Sequence, residues 1–292
     1  MNENMCKIFE VVWEDFPDEL DSDGNYKFDA IGFCDTYCGN DCDNNCNNDI
    51  DKINAGCLFI FNSLFGDSDS YMNNAKSNMN ITQYILAWLS YMLGLKNDNN
   101  INLNYFYNEY INKIKEYNIV ITGAESYYNS YKDLIDQKEN FMKMDKNIIF
   151  KFYDAFKSLC IMYNEINEDT THYDKCLEKA NAFAEKYTEL KEDYNIDKDS
   201  SYNELLSILS NDYDSFIKKH GTLCSDLPSL SDYSRSSATK NTLIPVLSIF
   251  VAIPFFFGIA YKYSLFGFDK RHQRQYLREK IKKIKKKMAS YV

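Results

Sequence analysis

Nine cysteines carry the most reactive side chains of this 292-residue chain, and four of them recur every four residues between positions 34 and 46. A four-cysteine zinc site usually has two close pairs separated by a longer gap, which this even spacing does not match. Disulfide bonds are therefore the favoured prediction, while metal binding and free thiols stay open as alternatives. The spacing does not reveal the pairing, and the odd count leaves one thiol unpaired or available for a bridge between molecules. The disulfide candidates are Cys6, Cys34, Cys38, Cys42, Cys46, Cys57, Cys160, Cys176 and Cys224.

The three histidines, His172, His220 and His272, do not complete a recognisable catalytic motif. The chain contains no nucleophile elbow, zinc-protease helix, phosphate-binding loop or dinucleotide fingerprint. A nucleophile pair of Cys160 with His172 or His220 can be drawn, although no local pattern marks it. A calcium loop starting at Asp41 fails, because an EF-hand needs glycine at its sixth position and glutamate at its twelfth. The sequence therefore predicts neither an enzyme nor a bound metal or cofactor, with a cysteine-dependent enzyme as a remote alternative.

The charges are divided unevenly along the chain, whose formal net charge is −10. Residues 262–292 hold 11 Lys or Arg and 2 acids, whereas the remaining residues hold 22 Lys or Arg and 41 acids. The long N-terminal part is thus strongly acidic, and the C-terminal end is strongly basic. Because an acidic surface repels phosphate groups, nucleic-acid binding by residues 1–240 is not expected.

A segment without any formal charge runs from Asn241 to Tyr261 and is apolar over most of its length. A bilayer is crossed by about 20 such residues, so we predict a transmembrane helix at residues 242–261. A buried core helix is the alternative, but the two prolines in this segment would break a helix in water. Lys and Arg directly after it predict a cytosolic tail at residues 262–292 and an extracytosolic N-terminal domain, where disulfides persist. Residues 1–30 show no apolar leader, so the export route is not evident from the sequence.

Lysines crowd the end of the predicted tail, and two interpretations fit them. One is a solvated helix that only fixes the topology. The other is contact with anionic lipid head groups, worth up to about 1 kcal/mol per basic residue near the surface. Membrane lipid is therefore a predicted partner of this single-pass protein. The residues predicted to contact lipid head groups are Lys280, Lys282, Lys283, Lys285, Lys286 and Lys287.

Helical periodicity dominates residues 51–224, which we predict to be a multi-helix ectodomain. The segment Tyr84–Leu95 is apolar nearly all round, which indicates the buried central helix of a bundle. Another amphipathic helix is predicted from a stripe that begins at Leu103 and ends at Ile114. The clearest stripe comprises Ile148, Ile149, Phe152, Phe156, Leu159, Cys160 and Tyr163.

Two segments outside this domain lack any period. Residues 1–50 are rich in Asp, Asn and Cys and are predicted to be irregular. Residues 225–241 are rich in serine and are predicted to be a flexible stalk. The fold class we predict is all-α: an irregular Cys-rich N-terminal segment, a multi-helix bundle ectodomain, a stalk, a single transmembrane helix and a basic tail.

Several apolar segments occur in a characteristic order along nearly the whole chain. Each is weak by itself, but together with the predicted span and basic tail their order is specific. On these segments the sequence resembles the Plasmodium interspersed repeat family of malaria variant antigens, in its rodent-parasite branch. The segments are Asn54–Asn62, Tyr84–Leu95, Phe152–Cys160, Cys176–Asn181 and Leu205–Tyr213.

The resemblance implies a variant membrane antigen, displayed on or exported to infected-cell membranes. It also implies roles in antigenic variation, immune evasion and host-cell contact, with antibodies or a host-cell receptor as partners and no catalytic activity. Exposed loops at 35–50, 97–102 and 195–201 are expected to carry the variation, because loops tolerate change while core stripes must keep packing. The alternatives are an adhesin with a defined host receptor and an internal membrane-tethered scaffold.

Overall fold

The structure, a computed structural model, describes residues 1–28, 37–38, 46, 48–75, 80–121, 123, 128–168, 173–192, 200–221, 224 and 226–230. These residues belong to the unit Met1–Arg235, and the second unit, Ser236–Val292, lies outside the described residues. The predicted transmembrane helix at 242–261 and the basic tail with its six lipid-contacting lysines therefore lie outside them as well. Within the part described, no helix is both long and apolar enough to cross a bilayer.

Six helices of 13 residues or more make up the bundle in the described part of the chain, which confirms the prediction of a helical ectodomain. They are α1 (Glu3–Asp15), α2 (Asp49–Phe65), α3 (Ile81–Gly94), α4 (Lys146–Glu168), α5 (Tyr173–Lys191) and α6 (Ser200–His220). Shorter helical segments follow α2 at Ser68–Ser70 and Tyr71–Ala75. Others lie between α3 and α4, at Leu103–Phe106, Tyr107–Ile111, Lys115–Asn118, Tyr131–Asp136 and Glu139–Met142.

Asparagine side chains begin several of these helices. The Oδ1 atoms of Asn2, Asn48 and Asn102 each accept a hydrogen bond from the backbone N–H three residues on, at 2.9, 3.0 and 3.0 Å. The first turn of a helix leaves such donors without a helical partner, and a cap of this kind stabilises the helix by about 1 kcal/mol. Part of the abundant asparagine in the sequence therefore has a structural role.

Helix α4 lies at the centre of the bundle, where it packs against α1, α3, α5 and α6. All residues of its predicted stripe are buried except Ile148, which is half-buried. Helix α3, predicted to be central, is buried nearly all round. The two helices meet through aromatic rings, since the ring of Tyr84 stacks on Phe152 at 5.4 Å and on Phe156 at 4.3 Å. Phe156 then meets Phe9 of α1 edge to face at 4.8 Å, so one aromatic cluster joins three helices.

The prediction that residues 1–50 are irregular is wrong for residues 3–15, which form α1. The acidic and Asn-rich composition of the segment hid an apolar face at helical spacing. Asp18 holds the end of this helix on α4, because its carboxylate accepts a hydrogen bond from Tyr153 at 2.8 Å and pairs with Lys157 at 2.5 Å. The buried residues of α1 are Met5, Cys6, Ile8, Phe9 and Val12.

The stripe from Leu103 to Ile114 does not form one helix, contrary to the prediction. The chain instead passes through a short α-helix, a π-helical turn at Tyr107–Ile111 and a 3-10 turn at Lys115–Asn118. Two tyrosines of the stripe bond to carboxylates of other segments rather than packing inward. Tyr107 donates to Asp136 at 2.6 Å, and Tyr110 donates to Asp51 at 2.8 Å. These long-range partners are not visible in the local pattern.

The predicted stalk at 225–241 begins later than the sequence indicated. Tyr213 of α6 donates a hydrogen bond to the carbonyl oxygen of Pro228 at 2.9 Å, and Leu230 is only 9% exposed. Residues 226–230 are therefore held on the bundle by α6. The rest of the predicted stalk, 231–241, lies outside the described residues.

Candidate functional site

Two long-range disulfides tie the described bundle together. Cys6–Cys160 joins α1 to the central helix α4 across 154 residues of sequence. Cys176–Cys224 joins α5 to the segment that follows α6, across 48 residues. A disulfide that closes a long loop removes conformational freedom from the unfolded chain, a stabilisation of about 2–5 kcal/mol. These bonds fix the scaffold on which the surface loops stand.

The remaining cysteines fall into three groups. Cys38 and Cys46 form a third disulfide, across 8 residues, while Cys34 and Cys42 lie outside the described residues. Cys57, a candidate for pairing, is instead a free thiol that α2 buries completely. Burial raises the pKa of Cys57 to about 12, opposed in part by its hydrogen bond with Tyr117. A thiol that is both protonated and shielded from solvent is chemically inert.

The histidines do not assemble a catalytic or metal centre in the described residues. His172 and His272 lie outside them, and Cys160 has no thiol to offer His220 because it is bonded to Cys6. His220 is 6% exposed and contacts the rings of Phe216 and Tyr163, and its Nε2 atom has no hydrogen-bond partner among the described residues. Desolvation by burial, together with Lys219, lowers the pKa of His220. No group of three or more His, Cys, Asp or Glu in the described chain could hold a metal.

One concave surface feature of the described residues is a groove between the loop that follows α3 and the start of α4. Its first part has a volume of about 260 Å³. Its lining includes Asn97, Asn99 and Asn104, called the amide wall below, whose side chains are exposed and make no hydrogen bond to other described residues. Its apolar lining, called the floor below, includes Met142, Met144, Ile149 and Phe150. We call the whole feature, with its second part below, the asparagine groove.

Phe150 reaches the asparagine groove only because residue 94 is glycine. A Cβ atom on Gly94 would lie 2.3 Å from the Cζ atom of Phe150, too close for any real contact. The ring of Phe150 is half-buried and packs on Tyr91 of α3 at 5.1 Å between centroids. The groove is thus lined by an aromatic ring as well as by the asparagines.

A second part of the asparagine groove, of about 310 Å³, shares Asn104, Met142 and Lys143 with the first. Its further wall is the half-buried ring of Tyr107. That ring is held in place because its hydroxyl donates to Asp136 at 2.6 Å and accepts from Lys132 at 2.8 Å. The charges along the groove nearly balance, since Lys143 pairs with Glu139 at 2.5 Å.

The sequence identified only half of this site. Residues 97–102 were predicted to be an exposed loop, and the structure places 97–100 and 102 at the surface, with Ile101 half-buried. The rest of the lining, from Met142 to Phe150, was not predicted as part of a site. Ile149 was predicted only as part of a core stripe, because its partners in the groove are distant in the sequence. Of the other loops expected to vary, 35–50 and 195–201 lie largely outside the described residues.

Comparisons with known proteins match most of the chain. The family model of the Plasmodium variant antigen protein Cir/Yir/Bir matches residues 6–262. A solved structure described as that of a Plasmodium PIR protein ectodomain is 33% identical, covers 78% of this chain and 95% of its own length, and superposes with a TM-score of 0.58. A search among curated proteins finds no match.

Proposed function

The chain belongs to the Plasmodium variant antigen family Cir/Yir/Bir, and from this membership we propose that it is a membrane-displayed antigen whose ectodomain faces the host. The match over residues 6–262 carries the proposal, because it spans the whole described bundle from α1 onward. The function we assign is antigenic variation and immune evasion at infected-cell membranes, without catalysis.

The disulfides support the extracytosolic placement of the bundle. Disulfides persist in oxidising compartments and are rare in the cytosol, where thiols are kept reduced. Two of the three described bonds join elements that are distant in sequence, so they depend on the folded bundle rather than on a local loop. We assign residues 242–261 as the membrane anchor and 262–292 as the cytosolic tail, with the lysines from Lys280 to Lys287 on anionic lipid.

The contrast between interior and surface supports antigenic variation. The interior is packed with aromatic rings, so substitutions there destabilise the fold. The loop Asn97–Asn102 is mostly exposed, and replacing a surface side chain that makes no structural contact changes stability little. Variation can thus accumulate where antibodies reach without loss of the scaffold. Antibodies raised against the folded protein should map to such loops; mapping confined to peptides of the α4 stripe would contradict this role.

Protease protection on intact infected cells tests the display. A tag is placed after Val292, cells are treated with protease, and blots are probed for the ectodomain and for the tag. Loss of the ectodomain signal, with a small protected tagged fragment, is the expected result. Survival of the full-length chain in intact cells, with cleavage only after permeabilisation, would place the ectodomain inside and refute display to the host.

A second candidate function, an adhesin with a host ligand, is favoured by the asparagine groove, which is a preformed concave surface.

A count of free thiols distinguishes the internal scaffold from the antigen and the adhesin. The protein is alkylated rapidly at cell lysis, before its thiols can oxidise. The scaffold predicts nine free thiols, whereas the disulfides leave at most three, Cys57 and the two cysteines outside the described residues. The count needs denaturant, because the buried Cys57 thiol does not react in the folded protein.

A further inference from the structure

We propose that the asparagine groove binds a neutral oligosaccharide, through amide hydrogen bonds on one wall and apolar contact with the floor. The inference deepens the proposed host-facing function, on which its biological meaning rests, by naming the chemical class of the ligand. Four observations carry it: the amides that bond to no other described residue, the aromatic floor, the dimensions of the groove and its charge.

The amides supply the hydrogen bonds that sugars require. A primary amide offers two donors and an acceptor, so it can bond to adjacent hydroxyl groups, one as donor and one as acceptor. Asn97, Asn99 and Asn104 line the groove with such groups, and none is used by another described residue. Asn102 differs, because its amide caps the next helix and bonds to the carbonyl oxygen of Asn99. The cap holds the loop in shape while the three other amides stay available.

The floor supplies the apolar contact. One face of many sugar rings presents C–H groups, which pack against aromatic and aliphatic side chains. The ring of Phe150 is half-buried and is the more accessible part of the floor, since Ile149 is only 2% exposed. The glycine at position 94 lets the Phe150 ring lie close to α3, where Tyr91 holds it. The floor is therefore set before any ligand arrives, which limits the entropy lost on binding.

The dimensions of the groove fit a short oligosaccharide rather than a single large molecule. The first part, of about 260 Å³, is smaller than the pockets of roughly 300–1,000 Å³ that hold drug-sized ligands, and it suits one sugar residue. The second part adjoins it through Asn104, Met142 and Lys143 and ends at the ring of Tyr107. Two connected compartments, each with amide and aromatic walls, match successive units of an oligosaccharide.

The charge excludes anionic sugars. The lining contains the acids Asp98, Asp136 and Glu139 and the bases Lys143 and Lys146, so the groove has a slightly negative balance. Lys143 is already paired with Glu139. The rest of the chain up to residue 261 is strongly acidic, which repels sialylated or sulfated chains at a distance. A neutral chain has no such penalty.

Binding to immobilised oligosaccharides tests the inference. Full-length protein, biotinylated at its C-terminus, is gathered on streptavidin, because several weak sites acting together give measurable avidity. It is kept in a zwitterionic detergent, since detergents with sugar head groups would compete. The probes are chains ending in galactose, N-acetylglucosamine or mannose, with sialylated and sulfated versions of the same chains. Saturable binding to at least one neutral chain, weaker for its anionic versions, is the expected result.

Substitutions in the groove then locate the binding. Asn99→Ala and Asn104→Ala should each weaken binding about tenfold, because each removes hydrogen bonds to the sugar. Asn203→Ala is the matched control, since Asn203 is equally exposed but lies on α6 and lines neither part of the groove. Lys146→Glu reverses one charge of the groove lining and detects binding that depends on that charge. Circular dichroism melts of each variant confirm that the fold is intact.

Three results would overturn the inference: no neutral chain binds, binding survives both asparagine substitutions, or an anionic chain is preferred and lost with Lys146→Glu. Capture of a host protein that persists after its glycans are removed would likewise point to a protein partner instead. None of these results affects the protease-protection experiment, so the display of the ectodomain is tested independently of sugar binding.

Discussion

The interface of α3 and α4 and the asparagine groove, which is lined by the end of α3, the loop after it and the start of α4, are built in opposite ways. At the interface, Tyr84 and Phe156 are fully buried and stacked. At the groove, Asn97, Asn99 and Asn104 are exposed, and their side-chain amides make no hydrogen bond to another described residue. The first region specifies the fold and the second can specify recognition, so a change in one leaves the other largely intact. That separation is what a variant antigen requires.

The largest expected effect tests how far the interior depends on its crosslinks. The double substitution Cys6→Ala with Cys160→Ala should lower the free energy of unfolding by about 2–5 kcal/mol, because the bond closes a very long loop. The pair Cys38→Ala with Cys46→Ala is the matched control. Loop-closure entropy predicts a loss about 2–3 kcal/mol smaller for its short loop. Denaturant titration of both proteins gives the comparison, and equal losses would contradict the entropic explanation.

A smaller effect is expected from a single buried hydrogen bond. Tyr84→Phe keeps the ring stacked on Phe152 and Phe156 but removes the hydroxyl that donates to the buried Asp212 carboxylate at 2.7 Å. We expect a loss of about 1–3 kcal/mol, because a buried carboxylate is left with one donor fewer. In Tyr105→Phe, a change at a 40% exposed ring, the free energy of unfolding should shift by less than about 0.5 kcal/mol. Indistinguishable unfolding curves for these two variants would show that the Asp212 bond is not stabilising.

The pH dependence of the free energy of unfolding tests the burial of His220 at the end of α6. The pKa of His220 lies below 6.5 in the folded protein because burial disfavours its charged form and Lys219 repels it, while Glu3 of α1 opposes this. The unfolded chain therefore binds a proton at higher pH than the folded chain. The contribution of neutral His220 to the free energy of unfolding is fully present above about pH 6.5. It is lost as the pH falls through that value toward the pKa of His220 in the folded protein.

Unfolding curves recorded between about pH 7.5 and 5.5 measure how the free energy of unfolding changes with pH. Most carboxylates titrate below this range and contribute little to the change. His220→Gln should flatten the dependence, since the amide does not titrate. A dependence that persists unchanged in His220→Gln would assign the slope to other groups.

The smallest effect on stability should come from the groove. Asn99→Ala with Asn104→Ala is expected to change the free energy of unfolding by less than about 0.5 kcal/mol, since neither side-chain amide bonds to another described residue. The same variant should nevertheless change the binding of antibodies raised against the folded chain. A destabilisation comparable to that of Tyr84→Phe would contradict the conclusion that the groove asparagines, unlike the interior residues, do not stabilise the fold.

The sequence located the interior well where its signal was local. Phe152, Phe156 and Leu159 recur at helical spacing, and all three are buried. It misjudged α1, because the surrounding acids and asparagines outweighed the apolar face that begins at Met5. Each prediction was correct or wrong according to how clearly the segment itself shows helical periodicity.

The sequence by itself determined the helical class, the order of the apolar segments and the family, because these follow from local periodicity and from the order of residues along the chain. Only the tertiary structure decided which cysteines pair, that Cys57 stays free and inert, and that asparagines of one loop and Phe150 line one groove. Those facts are distances between residues far apart in the chain. Such distances are fixed by the packing of whole helices around α4, which no local pattern encodes.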